Sequence, residues 1–194
     1  MKERTYSSLQ DVARYGDIAI YNTEADKAIH KILRNHPKYV CSEYFGPGVK
    51  SGAYIHGIMH EDLMTLSLES ECIDLVISSD VFEHIPDPYK AHEQVYRVLK
   101  KGGRHIFTVP FYQNEYVDEV RASLGSHGDL TYHKEPIYHG DPLREEGALV
   151  FTIFSLEMLV RLAKIGFRTQ MWKLRDPDSG ILGGNAIVFE ACKD

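Results

Sequence analysis

Three carboxylates follow three separate apolar stretches of the sequence at nearly regular intervals. Glu43, Asp62 and Asp80 are almost evenly spaced along the chain. If each acid ends a parallel strand, one crossover of the chain separates it from the next, and all three line one rim of an open α/β sheet. Carboxylates accept hydrogen bonds from hydroxyl and amino groups. The spacing therefore predicts a binding site for a polar ligand at this rim.

The segments that would position these acids alternate between strand-like and helix-like patterns. Helices are predicted to begin after the N-caps Thr23, Asp87 and Ser155, and the second of them to end at Gly102-Gly103. Strands are predicted at residues 18–21, 39–41, 57–60, 74–78, 104–110, 167–174 and 186–191. The last two bracket a turn rich in Pro and Gly, which indicates an antiparallel hairpin. We predict one α/β domain over residues 1–194, with a doubly wound, mostly parallel sheet and a shortened first β-α unit.

A longer motif follows the fourth predicted strand. From residue 74 to 110 the sequence reads DLVISSDVFEHIPDPYKAHEQVYRVLKKGGRHIFTVP. An apolar strand, an EH dipeptide, an RVLKxGG segment and a second apolar strand follow one another in this order. This pattern resembles the class I S-adenosylmethionine-dependent methyltransferases of the type 11 group. The resemblance covers residues 39–110, and more loosely the last helix and hairpin, and it implies a Rossmann-like fold.

The resemblance implies a cofactor, S-adenosylmethionine, with S-adenosylhomocysteine as the product. In the segment SEYFGPG, Glu43 is expected to accept hydrogen bonds from both ribose hydroxyls, and Tyr44 lies beside it. In HEDLMTLS, Asp62 is expected to accept from the adenine amino group, and the backbone N–H of Leu63 to reach a ring nitrogen. Each acid could instead cap the next helix or face solvent.

The end of the fourth predicted strand would lie beneath the methionine arm of the cofactor. Ser78, Ser79 and Asp80 are the expected contacts there. His84, in the EH dipeptide, either lines the methyl-transfer pocket or only holds the loop before the next helix.

The chain departs from the family pattern at its N-terminal end, where such enzymes carry a Gly-x-Gly turn. Between Met1 and Tyr39 the only glycine is Gly16. In one explanation, a short central strand ends at Tyr21, Asn22 makes the turn, and a helix beginning at Thr23 offers its N–H groups to the cofactor. In the other explanation the strand is lost. We favour the first, because a sheet without its middle strand would leave backbone groups unpaired.

The methyl acceptor would be bound by residues 111–150, an irregular insertion with no clear periodicity. This segment has eight acidic and three basic residues, which favours a small neutral or cationic acceptor. Methyl transfer to O or N needs a positioned nucleophile and a base for its proton. His139, oriented by Asp141, is the preferred base, with His133 and His105 as alternatives. A metal site from His127, His133, His139 and Asp141 has no recognisable ligand spacing, so we predict none.

Composition limits the remaining functional classes. The net charge is −6 with no basic run, which argues against nucleic acid as the main partner. No apolar run approaches the ~20 residues of a membrane span, and the polar N-terminus MKERTYSSLQ predicts a cytoplasmic protein. Cys41, Cys72 and Cys192 are widely spaced and predicted to be free thiols.

Two alternatives to a methyltransferase remain. One is an inactive relative that serves as a binding or dimerisation subunit. The other is a nicotinamide oxidoreductase, against which the absence of a GxGxxG motif argues. A homodimer is compatible with all of these.

Overall fold

The computed structural model describes residues 8–125, 127–141 and 144–194, with backbone alone at residues 141 and 144–146. Four helices are found there: α1 Leu9–Tyr15, α2 Ala28–Leu33, α3 Pro88–Val98 and α4 Leu156–Ile165. The strands are β1 Ile20–Asn22, β2 Tyr39–Glu43, β3 Tyr54–Ile55, β4 Ile58–His60, β5 Ile73–Ser79, β6 Leu99–Thr108, β7 Glu119–Val120, β8 Ala122–Leu124, β9 Leu130–Tyr132, β10 Tyr138–Asp141, β11 Arg144–Leu149, β12 Thr152–Ile153, β13 Phe167–Lys173 and β14 Ile187–Lys193. No helix in these ranges is long and apolar enough to cross a membrane.

Eight strands form the main sheet, in the order β13-β14-β6-β5-β1-β2-β4-β3. The strands β4, β2, β1, β5 and β6 pair in parallel, whereas β14 is antiparallel to both β6 and β13. A parallel sheet with helical crossovers and an antiparallel C-terminal hairpin is the predicted α/β fold, so this prediction is confirmed.

The short strand β1 lies in the middle of this sheet. Its three residues are buried and pair in parallel with β2 on one side and β5 on the other. The central strand is therefore retained, as the first of our two explanations predicted. The alternative of an inactive subunit rested on the missing glycine turn, which the presence of β1 does not restore.

The helix after β1 begins later than the sequence pattern indicated. The prediction that Thr23 caps it was wrong, because α2 starts at Ala28 and its N-cap, Lys27, makes no side-chain capping bond. Instead, the backbone N–H of Thr23 donates to the carbonyl of Ile77 on β5. The amide of Asn22 donates to the carbonyl of Glu24 at 2.7 Å. These bonds hold residues 23–27 as a loop, so a helix N-terminus at Thr23 cannot replace the glycine turn.

The boundary between α3 and β6 also differs from the prediction. Asp87 caps α3 and Pro88 opens it, as expected, but the helix ends at Val98 and does not reach Gly102-Gly103. Leu99 already pairs with β5, and the register shifts before Arg104. The two glycines therefore belong to an irregularity within β6, where a Cβ at Gly103 would lie 2.8 Å from the Lys100 carbonyl oxygen.

The insertion at residues 111–150 is more regular than its sequence suggested. It contains short antiparallel pairs, β8 with β9 and β10 with β11, while β7 pairs with β12. The prediction of an irregular segment was wrong for these strands. They span two to six residues each, and the three strands of two or three residues are too short for an alternating pattern to be detected in the sequence. Helix α1, capped by Ser8, was likewise not predicted.

Gly166 offers a test of how α4 is ended. It is left-handed, with φ 119°, and a Cβ there would lie 2.8 Å from the Tyr96 hydroxyl oxygen. We expect Gly166→Ala to lower the free energy of unfolding in urea by about 2–3 kcal/mol, from the unfavourable φ together with the clash. Gly102 is a matched control, because it has φ 77° and open space around its Cβ position. Gly102→Ala should cost only about 1 kcal/mol, and equal losses would contradict this account.

Candidate active site

The order of the parallel strands creates a crevice at one edge of the sheet. From β1 the chain proceeds to β2 and β4 on one side, and then crosses to β5 and β6 on the other. Ligands of open α/β sheets bind at such a switch point, outside the carboxyl ends of the strands. We call the space bounded by residues 22–24, at the carboxyl end of β1, and residues 79–80, at the carboxyl end of β5, the carboxyl-edge crevice.

Buried polar atoms without partners line this crevice. Asn22 and Thr23 are 1% and 7% exposed. Among the described residues, Oδ1 of Asn22 and Oγ1 of Thr23 have no hydrogen-bond partner. A buried polar atom without a partner costs free energy, which a bound polar group would recover. Residues at the position of the missing glycine turn thus fit the polar methionine end of the cofactor.

The crevice is also acidic, which the sequence reasoning did not use. Glu24 is 6% exposed, and burial, together with the charge of Asp80, raises its pKa. The Lys27 ammonium lies 3.3 Å from Glu24 Oε1 and acts in the opposite direction. An acidic crevice of this kind suits a ligand that carries positive charge, as an amino acid attached to a sulfonium does.

Glu43 ends β2 and reaches back to the loop after β1. Its Oε1 accepts a hydrogen bond from the backbone N–H of Ala25 at 2.8 Å. The residue therefore lies at the predicted rim and also fixes the loop after β1, where the family pattern has a glycine turn. Tyr44 follows it, half-exposed, with its ring 5.4 Å from the ring of His60.

A cavity of about 430 Å³ brings two of the predicted contacts together. It is lined by Tyr44, Gly46, Pro47, Val49, Lys50, Ser51, Asp62, Thr65 and Ser67, and its size is that of a small-molecule pocket. Asp62 also caps the 3₁₀ turn that starts at Leu63, with Oδ1 accepting from the Met64 N–H at 2.8 Å. Leu63 itself is buried. Asp62 thus has the capping role of the alternative interpretation and a place in the cavity wall.

Two of the predicted cofactor contacts have side chains that face the core. The Tyr21 hydroxyl is fully buried and bonds to Ser42 Oγ at 2.7 Å. Ser78 Oγ lies 2.9 Å from His105 Nε2, also in the interior. Both residues could contact a ligand only through their backbone. Their side chains point away from the predicted site because neighbouring residues of a strand face opposite sides of the sheet.

Ser79 and Asp80 lie at the end of β5, closer to the crevice. Ser79 Oγ accepts a hydrogen bond from the Thr108 hydroxyl at 3.3 Å. Asp80 is exposed, and its φ of 52° is left-handed, which is uncommon for a residue other than glycine. It borders a second cavity, of about 280 Å³, formed with Val109, Pro110, Phe111, Tyr112, Ile153, Asn185 and Ile187.

Beyond Asp80, the turn after β5 holds a carboxylate between two imidazoles. Glu83 Oε1 lies 3.6 Å from His84 Nε2 and 3.4 Å from His139 Nδ1. We call these three residues the Glu83 cluster. The Glu83 side chain is 0% exposed, and burial, together with the charge of Asp80, raises its pKa to about 8. His139, from the insertion, is 39% exposed at its side chain, so the cluster joins the interior to the surface beside the crevice.

The comparison with known families decides between the enzyme classes. A family model described as "Methyltransferase domain" matches residues 9–107, just over half of the chain. The chain belongs to this family, the class I S-adenosylmethionine-dependent methyltransferases. S-adenosylmethionine is accordingly its cofactor, and the nicotinamide interpretation is excluded.

Individual relatives agree with the family and the fold. The arsenite methyltransferase of Mus musculus is 33% identical over 125 residues, which cover 64% of this chain and 28% of the relative. The chain therefore spans less than a third of that relative's length. A crystal structure of an S-adenosylmethionine-dependent methyltransferase from Mesorhizobium loti has a TM-score of 0.56 at 17% identity and covers 90% of both chains. The 1,6-didemethyltoxoflavin-N1-methyltransferase of Burkholderia thailandensis, solved with 1,6-didemethyltoxoflavin and S-adenosylhomocysteine, has a TM-score of 0.54 at 10% identity, over 95% of this chain and 76% of that one.

The other histidines proposed as bases from the sequence lie elsewhere. His133 is exposed beside the β8–β9 pair, with Nε2 2.8 Å from Ser123 Oγ. His105 is completely buried among aromatic rings, and burial holds its pKa well below the usual range. Its role as an alternative base was therefore wrong, because an acceptor cannot reach it. The side chain of Asp141 lies outside the described residues. Glu83, which the sequence reasoning missed, is the acid observed beside His139.

Proposed function

We propose that this methyltransferase transfers a methyl group from S-adenosylmethionine to an oxygen or nitrogen atom of a small neutral or cationic molecule. The observation that carries the proposal is the Glu83 cluster, in which a partly exposed imidazole lies against a buried carboxylate at the edge of the crevice. Such a pair has the chemistry needed to take a proton from a hydroxyl or an amine.

The cofactor would extend along the rim from the cavity beside Tyr44 to the crevice. Tyr44, Asp62 and Leu63 would surround the adenine, and Glu43 would accept hydrogen bonds from the ribose hydroxyls. When bound, S-adenosylmethionine supplies an electrophilic methyl group on a sulfonium leaving group. The protein then has mainly to position the acceptor and remove its proton.

The methionine end would lie against the loop after β1. Both Asn22 and Thr23 have a buried oxygen atom without a partner in the described residues. The Asn22 oxygen can accept from an ammonium group, and the Thr23 hydroxyl can also donate to a carboxylate. Ser79 and Asp80 close this end from β5, and the acidic side chains there favour the cationic form of the cofactor over its neutral product. These residues would bind the methionine end of the cofactor in place of the missing glycine turn.

His139 is the proposed base. Its Nδ1 faces Glu83, so Nε2 is the atom that would accept the proton of the acceptor. The ring becomes a cation when it does so, and Glu83, whose pKa burial raises to about 8, stabilises that cation once its carboxyl group is ionised. Glu83 therefore takes the orienting role that the sequence interpretation gave to Asp141. His133 remains a less favoured alternative.

The net charge and the positions of the cysteines limit the chemical class of the methyl acceptor. A net charge of −6 and an acidic insertion disfavour a polyanion such as RNA or DNA. Arsenite, the acceptor that the mouse relative's name indicates, is a soft ion that favours thiolate ligands. Here Cys41 is on β2, Cys72 directly precedes β5 and Cys192 is on β14, so any two of them are at least two strands apart, which is roughly 10 Å. We therefore propose a nitrogen or oxygen acceptor.

The proposal is tested with a panel of acceptors. Tritium transfer from methyl-labelled S-adenosylmethionine is measured for neutral and cationic amines, phenols and N-heterocycles, and in parallel for transfer RNA, duplex DNA and arsenite. We expect transfer to at least one class of small organic molecule and none to the nucleic acids. Transfer confined to RNA, DNA or arsenite would contradict the proposal.

A further inference from the structure

We propose that Glu83, His84 and His139 bind a divalent first-row transition-metal cation of the zinc type. Binding of the cation does not depend on methyl transfer. Its role, which is to bind and activate the acceptor, rests on the methyl transfer proposed above and takes the place of proton removal by His139, because an imidazole that binds a cation through Nδ1 carries its proton on Nε2. The sequence predicted no metal site, because the residues considered for one, His127, His133, His139 and Asp141, have no recognisable ligand spacing.

The distances between the three side chains are those of a coordination polyhedron. Glu83 Oε1 lies 3.6 Å from His84 Nε2 and 3.4 Å from His139 Nδ1. One ligand atom from each of the three residues lies within 4.8 Å of the others. In a tetrahedral site with metal–ligand distances of about 2.0–2.2 Å, neighbouring ligand atoms are about 3.3–3.6 Å apart. Both distances from Glu83 fall in this range, and both exceed a direct hydrogen bond of good geometry.

The orientation of His84 favours a cation rather than a hydrogen bond to Glu83. Its Nδ1 lies 2.8 Å from the carbonyl oxygen of Leu149. A carbonyl only accepts, so Nδ1 carries the proton, and in the neutral ring Nε2 presents its lone pair toward Glu83. Metal-binding histidines in proteins are commonly oriented by such a bond from the other ring nitrogen to a backbone carbonyl.

Glu83 supplies an independent observation that points to a ligand. Its side chain is 0% exposed, and no other residue in the described part of the chain hydrogen-bonds to either carboxylate oxygen. Burial disfavours the ionised form of such a carboxyl group, and a cation beside it compensates for that cost. Its Oε1 points to the space between the two imidazoles, where a divalent ion would do so.

The donor set selects the class of cation. Ca²⁺ and Mg²⁺ prefer oxygen ligands, whereas imidazole suits Zn²⁺, Cu²⁺, Fe²⁺ and Ni²⁺. Two imidazoles and one carboxylate are three protein ligands, which leaves at least one position open, as in catalytic rather than structural zinc sites. An acceptor hydroxyl bound at that position would lose its proton more readily, and the exposed side of His139 is where it would approach.

The test is metal binding by protein that has no affinity tag and has been stripped with a chelator. Zn²⁺ is titrated by calorimetry, and Co²⁺ by its visible absorption, which reports a tetrahedral site with nitrogen ligands. We expect one equivalent to bind, and both Glu83→Gln and His139→Ala to weaken binding by about tenfold or more. His127→Ala is the matched control, because His127 is an exposed histidine of the same insertion, and its affinity should be unchanged.

Three results would overturn the metal site: no binding at one equivalent, unchanged affinity in Glu83→Gln and His139→Ala, or an equal loss in His127→Ala. Far-ultraviolet circular dichroism checks that each variant is folded. S-adenosylhomocysteine is titrated into the same metal-free samples. If it binds and Zn²⁺ does not, the metal site is wrong and the proposed function stands. If Zn²⁺ binds and S-adenosylhomocysteine does not, the metal site stands and the proposed function fails.

Discussion

Replacing Glu43 by alanine is expected to weaken the binding of S-adenosylhomocysteine by about 100-fold. The substitution would remove the carboxylate that accepts hydrogen bonds from two ribose hydroxyls, and hydrogen bonds to a charged group contribute about 1.5–3 kcal/mol each. The substitution would also release the Ala25 N–H, which donates to Glu43 Oε1 at 2.8 Å, and so loosen the loop beside the crevice. Isothermal calorimetry gives the dissociation constant directly.

Glu43→Gln separates the two effects of that substitution. The glutamine oxygen can still accept from Ala25, so the loop stays fixed, while the charge and one acceptor are lost. We expect a loss intermediate between wild type and Glu43→Ala. An unchanged dissociation constant in Glu43→Ala would show that the ribose does not lie at the end of β2.

Replacing His139 by alanine is expected to lower kcat for methyl transfer by about 10²–10⁴-fold, the usual contribution of a general base. Affinity for S-adenosylhomocysteine should not change, because His139 lies on the acceptor side of the crevice. The same loss is expected whether the imidazole takes the proton itself or helps to hold a cation that activates the acceptor. Single-turnover transfer from labelled S-adenosylmethionine measures the effect.

His127→Ala is the control here as well, since it removes an exposed histidine from the same insertion. Surface substitutions usually change the free energy of unfolding by no more than about 0.5 kcal/mol, so this variant should stay folded. Because His127 is not part of the Glu83 cluster, we expect kcat to stay within a factor of about two of wild type. A kcat that stays at the wild-type level in His139→Ala would contradict both proposed roles of this residue. The acceptor would then be activated elsewhere.

The part of the fold that could be predicted is the part in which local patterns and tertiary structure agree. The apolar run of β5 is buried between layers, and the Asp87-Pro88 pair begins α3 in the way that its local chemistry favours. Ser155 likewise begins α4 as expected, and the left-handed Gly166 ends it. In each case, the residues that determine the element lie within it or next to it, so the sequence is sufficient.

The loop after β1 could not be predicted, because distant residues determine it. Thr23, Ala25 and the acids around them look like the first turn of a helix. Two bonds from remote parts of the chain prevent that turn, one from Thr23 to Ile77 and one from Ala25 to Glu43. Helix propensity amounts to a few tenths of a kcal/mol per residue and is outweighed by such contacts.

The Glu83 cluster illustrates the same limit for the site. The EH dipeptide drew attention to His84, and the insertion drew attention to His139, but the two histidines are far apart in the sequence. Only the packing of residues 149–153 against the turn after β5 brings them together, through the bond from Phe151 N–H to the Glu83 carbonyl. Sequence spacing therefore indicated the cofactor rim, whereas the acceptor side required the three-dimensional structure.

The central claim is that the carboxyl-edge crevice binds the cofactor without a glycine turn. A crystal structure of the complex with S-adenosylhomocysteine tests it most directly. We predict that the Glu43 carboxylate contacts both ribose hydroxyls and that the methionine end lies against Asn22 and Thr23. A cofactor bound away from Asn22, Thr23 and Glu43, or a crevice that stays empty at saturating cofactor, would contradict the claim.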